Sequence, residues 1–420
     1  MGHGVSRTIP IVLRPSEEEV ATSQDPSFFP DLDGLSRAVQ ALARDEPRDA
    51  DDLPLSLPEE GLGEAAVLDR LDPHVLGRAA LLGGPSAFAH MDPPTPWITW
   101  ALALWNARLN QNLLHPATAP FAREAEERVV AWLAPFFGMA GGHMTSGSTV
   151  ANLTALWAAR DAAGVKRVVA SEAAHVSVRK ASRILGLTFE AVPVDAFQRL
   201  DVRALGDVSN ACLVLTAGTT AVGALDPLEL VGKAAWTHVD AAWAGPLRLS
   251  EPYKDSLAGI EQADSVAVSA HKLLFQPKES GLVLFRDVAR ANDAISFGGG
   301  YLAVPNVGVL GSHGAVAVPL LGTLLAWGRQ GLAERIERCM ANAQRLAGAI
   351  EASPDFELFA PPETAVVAFR PTHGSVDALG VRLMPATAST ATIKGQTWLR
   401  CVAANPAVDI GHVLKAIGLF

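Results

Sequence analysis

Cysteine and tyrosine are what this sequence has least of: three of the first and two of the second in 420 residues. Cys212, Cys339 and Cys401 lie far apart and show no CxxC spacing. That excludes a disulfide framework and a thiolate metal site, and fits reduced core residues of a cytoplasmic protein. Charge is also scarce, at 19% of residues with a formal balance of −10. Without a dense Lys/Arg block, neither nucleic acid nor an anionic membrane is an expected partner. The longest apolar tract, 315–327, is too short to cross a bilayer and is interrupted by Pro319, Gly322 and Thr323. The first seven residues contain no apolar signal core. What is plentiful is hydrophobic sequence, 49% of the chain. This excludes global disorder and supplies a sizeable core, in two domains or in one large domain with an appendage.

Residues 1–30 carry four prolines and an acidic run, and read as an irregular arm. Leu32, Leu35, Val39 and Leu42 share one helical face behind a cap at Asp31 or Asp33. An acidic, proline-containing linker (45–60) and two short helical patterns (63–71 and 73–82) come next, and residues 1–88 are expected to form a packing appendage. The prolines of 85–96 exclude a helix there, whereas 97–109 is an apolar helix and 119–135 an amphipathic one with Val129, Val130, Trp132 and Leu133 inside. From residue 141 the pattern changes. A flexible loop, 141–149, runs into a helix at 150–162. Short apolar runs at 167–170, 188–194, 212–216, 237–240, 265–269 and 281–285 then alternate with helical stretches, among them 175–185 and 226–235. Such alternation specifies a mostly parallel sheet covered on both faces, here a large α/β domain over 89–305. The glycine-rich 291–311 reads as a loop. A long helix (314–351) and mixed short strands and helices then make a smaller α+β domain, 306–420.

Ligands on parallel sheets sit beyond the carboxyl ends of the strands. Thr219, Asp240 and the pair His271-Lys272 all fall at such ends. A lysine is ordinarily a solvated surface charge, but Lys272 follows an apolar run, where desolvation would favour a free amine. Asp240 lies among apolar neighbours and needs a cationic partner; His238 or an arginine would serve structurally. The loop Thr145-Ser146-Gly147-Ser148 delivers free backbone N–H groups at a helix start, either an anion site or a simple cap.

Taken together, His238-Val239-Asp240-Ala241-Ala242, His271-Lys272, Thr145-Ser146-Gly147 with Asn152, His175 and Gly218-Thr219-Thr220 resemble the group II pyridoxal-dependent amino acid decarboxylases. The resemblance runs from about Pro85 to the C-terminus. It implies a fold-type I α/β architecture with a seven-stranded sheet and a homodimer clasped by its N-terminal segments. It also implies pyridoxal 5′-phosphate as cofactor. Lys272 would form the Schiff base, Asp240 would hold the pyridine nitrogen protonated, and His175 and Ala242 would lie on the two ring faces. Thr145, Ser146, Gly147, Ser148, Ser269 and His271 would surround the cofactor, and Thr219 would meet its ring hydroxyl or the substrate carboxylate. Phe88 and His90 would border the substrate, Arg400 would bind its carboxylate, and Ser312 would reach the phosphate of the neighbouring subunit. No metal is implied.

The sequence departs from that family in the groups that would return a proton to Cα. Its two tyrosines, Tyr253 and Tyr301, do not sit in a long mobile loop. Elsewhere, Ser148 and Val150 in the 145–150 stretch and Ala270 before His271-Lys272 replace residues usual at those points. The leading expectation is decarboxylation of an L-amino acid. A carbon–carbon lyase, an aldehyde-forming oxidative decarboxylase, a transaminase and a catalytically silent cofactor-binding subunit remain as alternatives. A metal site at His238, Asp240 and His271 is the least supported.

Overall fold

A computed structural model describes residues 27, 30–43, 52–300 and 302–419. Most of the irregular arm expected over 1–30, and Tyr301, lie outside these residues. The chain divides into two compact units, Met1–Ala80 and Leu81–Phe420.

The first unit contains α1 (Leu32–Ala41) and α2 (Glu64–Val75). The Asp31 carboxylate caps α1 by accepting from the N–H groups of Asp33 and Gly34. The two helical patterns expected over 63–82 are one helix, with Pro73 in its last turn. Arg37 and Asp69 join α1 to α2 at 2.7 Å, but neither helix buries a residue of its own.

The second unit opens with α3 (Trp97–Leu109) and α4 (Pro120–Leu133), then β1 (Gly141–Thr145) and α5 (Ser148–Ala163). The series β2 (Arg167–Ser171), α6 (Val176–Ile184), β3 (Thr188–Val192), β4 (Cys212–Thr216), β5 (Trp236–Asp240), β6 (Ser265–Ser269) and β7 (Gly281–Phe285) completes a seven-stranded sheet of order β1-β7-β6-β5-β4-β2-β3. β2 to β6 pair in parallel, while β7 runs antiparallel to both neighbours. Side chains alternate across this sheet. Leu213, Leu215, Val239, Val266, Val268, Leu282 and Leu284 enter one core with α4. Cys212, Val214, Trp236, Ala267, Val283 and Phe285 enter a second with Ala151, Ala155, Leu156 and Val178 of α5 and α6. Burial on both faces is why these strands are continuous apolar runs. The same alternation turns residues 236, 238 and 240 of β5 toward α5.

The chain continues through α7 (Val288–Ile295), the two-residue strands β8 (Ser296–Phe297) and β9 (Asn306–Val307), and α8 (Ala317–Glu351). A four-stranded antiparallel sheet comes last, of order β10-β11-β13-β12, from β10 (Phe356–Leu358), β11 (Val366–Pro371), β12 (Ser389–Ile393) and β13 (Gln396–Val402). It is accompanied by α9 (Val376–Leu383) and α10 (Ile410–Ile417).

Several local expectations fail for identifiable reasons. Residues 141–145 are strand, not loop, because β7 offers them an edge. Only one 3₁₀ turn, Leu228–Leu230, forms within 226–235. There Asp226 turns its carboxylate back to accept from the N–H groups of Leu200 and Thr216, both at 2.7 Å. The glycine-rich stretch begins inside a helix, α7. Trp132 is 41% exposed rather than inside. Strand β12 is one that the apolar pattern does not announce, and α8 is broken at Gly328, whose φ is +62°.

Candidate active site

Two strand ends and one helix start converge. Asp240 is the last residue of β5, Ser269 the last of β6, and Lys272 follows β6 by one turn. The Ser269 hydroxyl donates to the Ser148 hydroxyl at 2.8 Å, tying β6 to the first turn of α5. That helix is 16 residues long, and no side chain caps its N-terminus, so its leading N–H groups are available to an anion. Gly147 precedes it at φ +116°, and a Cβ there would lie 3.1 Å from the His271 ring. The His271 ring in turn is held by Nδ1–H donating to the Ser280 carbonyl at 2.9 Å. Thr145 is buried and donates to the Gly147 carbonyl at 3.0 Å, whereas Ser146 is exposed.

Two opposite charges sit here without an ion-pair partner among the described residues. The Asp240 carboxylate is 3% exposed. Its Oδ2 accepts from Asn152 Nδ2 at 2.9 Å and its Oδ1 from the Ala242 N–H at 3.2 Å. No cationic side chain pairs with it among the described residues. His238, the alternative partner, is kept neutral by burial with its pKa pushed down to about 4, and it bonds Asn152 and Ser265 instead. The Lys272 ammonium likewise has no hydrogen-bond or ion-pair partner among the described residues. Desolvation lowers its pKa, and the Asp240 charge acts against that lowering. A buried anion and a desolvated amine left apart are costly unless something between them satisfies both. A molecule with an aldehyde, a pyridine nitrogen and a phosphate fits this donor set: amine, carboxylate and uncapped helix start.

His175 is the N-cap of α6, and its Nδ1 is 2.8 Å from the Ser177 hydroxyl. Desolvation lowers its pKa, with Asp240 opposing and Lys272 and Lys180 reinforcing. Ala242 is buried beside Asp240. Thr219 is buried in a tight loop after β4, where its Oγ1 accepts from the Ala224 N–H at 3.0 Å. Arg400 donates to the carbonyls of Thr220 (3.0 Å) and Ala89 (3.4 Å), leaving its Nε buried and unpartnered.

Other sequence candidates lie differently. The Phe88 side chain is 1% exposed in the core, with its backbone bonded to Ala386 and Val402. His90 is exposed. Ser312 accepts from Asn112 and shares no hydrogen bond with the cluster. The Tyr253 hydroxyl meets Gln344 of α8. No group of three His, Cys, Asp or Glu is placed to hold a metal ion among the described residues. Sequence reasoning gives no role to Ser177, Ser265 or Trp236. It also misses the ion pair between Asp92 and Lys278, whose charges act on Lys272.

Residues 48–372 match the pyridoxal-dependent decarboxylase conserved domain. The chain belongs to the pyridoxal-dependent decarboxylases. It is 34% identical over 417 residues to an L-2,4-diaminobutyrate decarboxylase of Rhizobium meliloti (strain 1021), covering 86% of this chain and 83% of that one. An aspartate 1-decarboxylase of Aliivibrio fischeri is 27% identical, with 77% and 70% covered. Among solved structures, the glutamate decarboxylase domain of a Vibrio parahaemolyticus protein, described as diaminobutyrate-pyruvate transaminase and L-2,4-diaminobutyrate decarboxylase, superposes with a TM-score of 0.80. It is 25% identical and covers 92% of this chain and 93% of that one. An Oryza sativa TDC solved with PLP and tryptamine shares the fold, with a TM-score of 0.79 at 22% identity over 92% and 97% of the two chains. This decarboxylase therefore has the fold-type I architecture, uses pyridoxal phosphate and is a carboxy-lyase acting on an amino acid. No helix among its described residues is long and apolar enough to cross a membrane.

Proposed function

We propose that this decarboxylase acts on a short, polar L-amino acid, 2,4-diaminobutyrate first among them, through Lys272, Asp240 and His175. The observation that carries the site assignment is the pair of unneutralised charges, the Lys272 amine and the Asp240 carboxylate. Bound there, pyridoxal phosphate supplies an electron sink for the pair released when the bond from Cα to the carboxylate breaks.

Each residue then has a physical task. Lys272 holds the cofactor through an amine that desolvation keeps easy to deprotonate. Asp240, braced by Asn152 and the Ala242 N–H, keeps a proton on the pyridine nitrogen. The first turn of α5, with Thr145, Ser146, Gly147, Ser148 and Ser269, takes the phosphate. Arg400 offers its unpartnered Nε–H to the substrate carboxylate. Asp92, ion-paired with Lys278 in the structure, would share its carboxylate with a side-chain ammonium; its charge is felt by Lys272, His271 and Arg400. Two relatives named L-2,4-diaminobutyrate decarboxylase, 34% and 29% identical, support that choice.

We place the active unit as a homodimer. On α3, Trp97 (70% exposed), Trp100 (51%), Trp105 (63%) and Leu109 (62%) leave large apolar side chains uncovered, which supports an interface there. Three buried, unpaired cysteines support a reducing, cytoplasmic location, which fractionation would test.

The test is carbon dioxide release across a panel of amino acids, with visible absorbance read alongside. Expected are release from diaminobutyrate and a yellow protein that borohydride bleaches. Lys272→Ala should be colourless and inactive, and Asp92→Asn should raise KM for diaminobutyrate by about tenfold. A Lys272→Ala protein that keeps colour and turnover would refute the site. Release from aspartate or tyrosine but not diaminobutyrate would refute the substrate alone.

A further inference from the structure

One chain of hydrogen bonds inside the large domain joins the two groups assigned to the cofactor. Trp236 Nε1 meets the Ser265 hydroxyl at 2.9 Å, and that hydroxyl meets His238 Nδ1 at 2.9 Å. His238 Nε2 meets Asn152 Oδ1 at 2.9 Å. Asn152 Nδ2 then bonds both Asp240 Oδ2 and the Ser177 hydroxyl, each at 2.9 Å. The Ser177 hydroxyl ends the chain on His175 Nδ1 at 2.8 Å. Trp236, Ser265, His238, Asn152, Ser177 and Asp240 are each at most 3% exposed.

The chain has one direction. An indole N–H only donates and an ionised carboxylate only accepts. Asp240 takes an Asn152 amide N–H, so the Asn152 oxygen faces His238 Nε2, which must carry the proton. With its pKa lowered by burial the ring is neutral, and its bare Nδ1 takes the Ser265 hydroxyl proton while that oxygen accepts from Trp236. Asn152 therefore turns its oxygen to His238 and its amide protons to Asp240 and Ser177. The reverse orientation would set the amide oxygen against the Asp240 carboxylate. Ser177, receiving from Asn152, donates to His175 Nδ1, and the Ser177 backbone N–H reaches the same atom at 3.3 Å. Both histidines are then neutral and protonated at Nε2. Burial lowers the pKa of each.

We infer that Asn152 is the positioning residue of this enzyme: its one amide group locks the Asp240 carboxylate and, through Ser177, presents His175 to the reaction as a neutral Nε2–H donor. This rests on the proposed site. Neither Asn152 nor Ser177 needs to touch the substrate. The pattern differs from a purely structural network in that both N–H groups of the Asn152 amide lead to a group with a proposed chemical task, Asp240 directly and His175 through Ser177, while its oxygen takes the His238 proton.

The test uses full-length, cofactor-loaded protein labelled with 15N-histidine, with His175 and His238 signals assigned from His175→Gln and His238→Gln. In the wild type, both rings are expected to be neutral and protonated at Nε2. Asn152→Asp, a change of nearly the same shape, sets a second carboxylate against Asp240 and accepts from His238. The His238 signals should move toward the doubly protonated form, and kcat should fall by about tenfold or more, as for a lost orienting hydrogen bond. Ser177→Ala, which removes one oxygen and will fold, should disturb His175 Nδ1 and leave His238 as it was. A wild-type His175 or His238 protonated at Nδ1 would overturn the inference. So would an Asn152→Asp protein whose histidine signals and kcat match wild type. A wild type that releases no carbon dioxide from any amino acid ends the decarboxylase reading instead, while the histidine spectra still decide the network.

Discussion

Gly281→Ala probes the proposed phosphate cradle without altering any group assigned to the chemistry. Gly281 starts β7, flanked by Ser269 of β6 and Thr145 of β1. Its φ is outside the range that requires glycine, so alanine meets only a packing problem. A Cβ would lie 2.8 Å from Gly147 Cα, 2.9 Å from Gly147 C and 3.1 Å from Ser148 N. All three are backbone atoms that cannot rotate aside. Reaching an ordinary 3.4 Å contact requires a shift of 3.4 − 2.8 = 0.6 Å in the loop that starts α5. Overpacking of this kind costs about 1–3 kcal/mol. Expressed as lost cofactor affinity, that is about tenfold to a hundredfold weaker binding. Pyridoxal phosphate would be titrated into the cofactor-free protein, with thermal unfolding measured in parallel. Gly348→Ala is the control: no atom lies within 4 Å of its Cβ in α8, so it should stabilise by about 0.5–1 kcal/mol and leave binding unchanged. A Gly281→Ala protein that loses stability yet binds the cofactor normally would show that the 146–148 loop does not hold the phosphate.

Asp240→Asn sets an amide N–H against the donors of Asn152 or Ala242 and removes the charge; kcat should drop roughly a hundredfold to a thousandfold, and a variant within a few-fold of wild type would exclude the proposed role. Acid stability depends on His143 and His238, both held neutral by burial with pKa values of about 4 against an ordinary 6.5. The unfolded chain binds their protons first, so their contribution is complete above pH 6.5 and is lost as pH falls toward 4, at about 1.4 kcal/mol per pH unit per histidine. Asp226, raised by burial to about 6 from 3.8, opposes this within its own window. Urea melts should weaken from pH 6.5 to 4.5, and His143→Leu should flatten the slope by about one proton; an unchanged slope would refute the assignment. Trp100→Glu with Trp105→Glu should convert the proposed dimer to monomer in sedimentation, and a double variant that stays dimeric would remove α3 from the interface.

How much was legible in the sequence depended on whether a residue acts through its neighbours in the chain or across the fold. The strand-end positions of Lys272 and Asp240 could be read because each ends or follows an apolar strand, and strand ends are where parallel sheets place ligands. Their separation of 32 positions did not matter, because β5 and β6 are adjacent. The strands themselves were readable since burial on both faces makes them continuous apolar runs. β1 looks like a loop because glycines and a histidine form its sequence, and only the open edge of β7 makes it a strand. The partners of Asp240 were hidden for a related reason. His238 looks like an ionisable neighbour two residues away, and such a neighbour suggests an ion pair. Strand alternation sends both side chains to the same face, toward α5, where Asn152 stands between them. The amide accepts from one and donates to the other, so the local pair is replaced by a bridge from a helix 86 residues away in sequence. One feature of the sequence does point to it: Asn152 lies one helical turn after Ser148, on the face that the proposed phosphate loop turns toward the strand ends. A polar residue there, on a helix packed against apolar strands, requires a buried polar partner, and the end of β5 offers two on one face, His238 and Asp240.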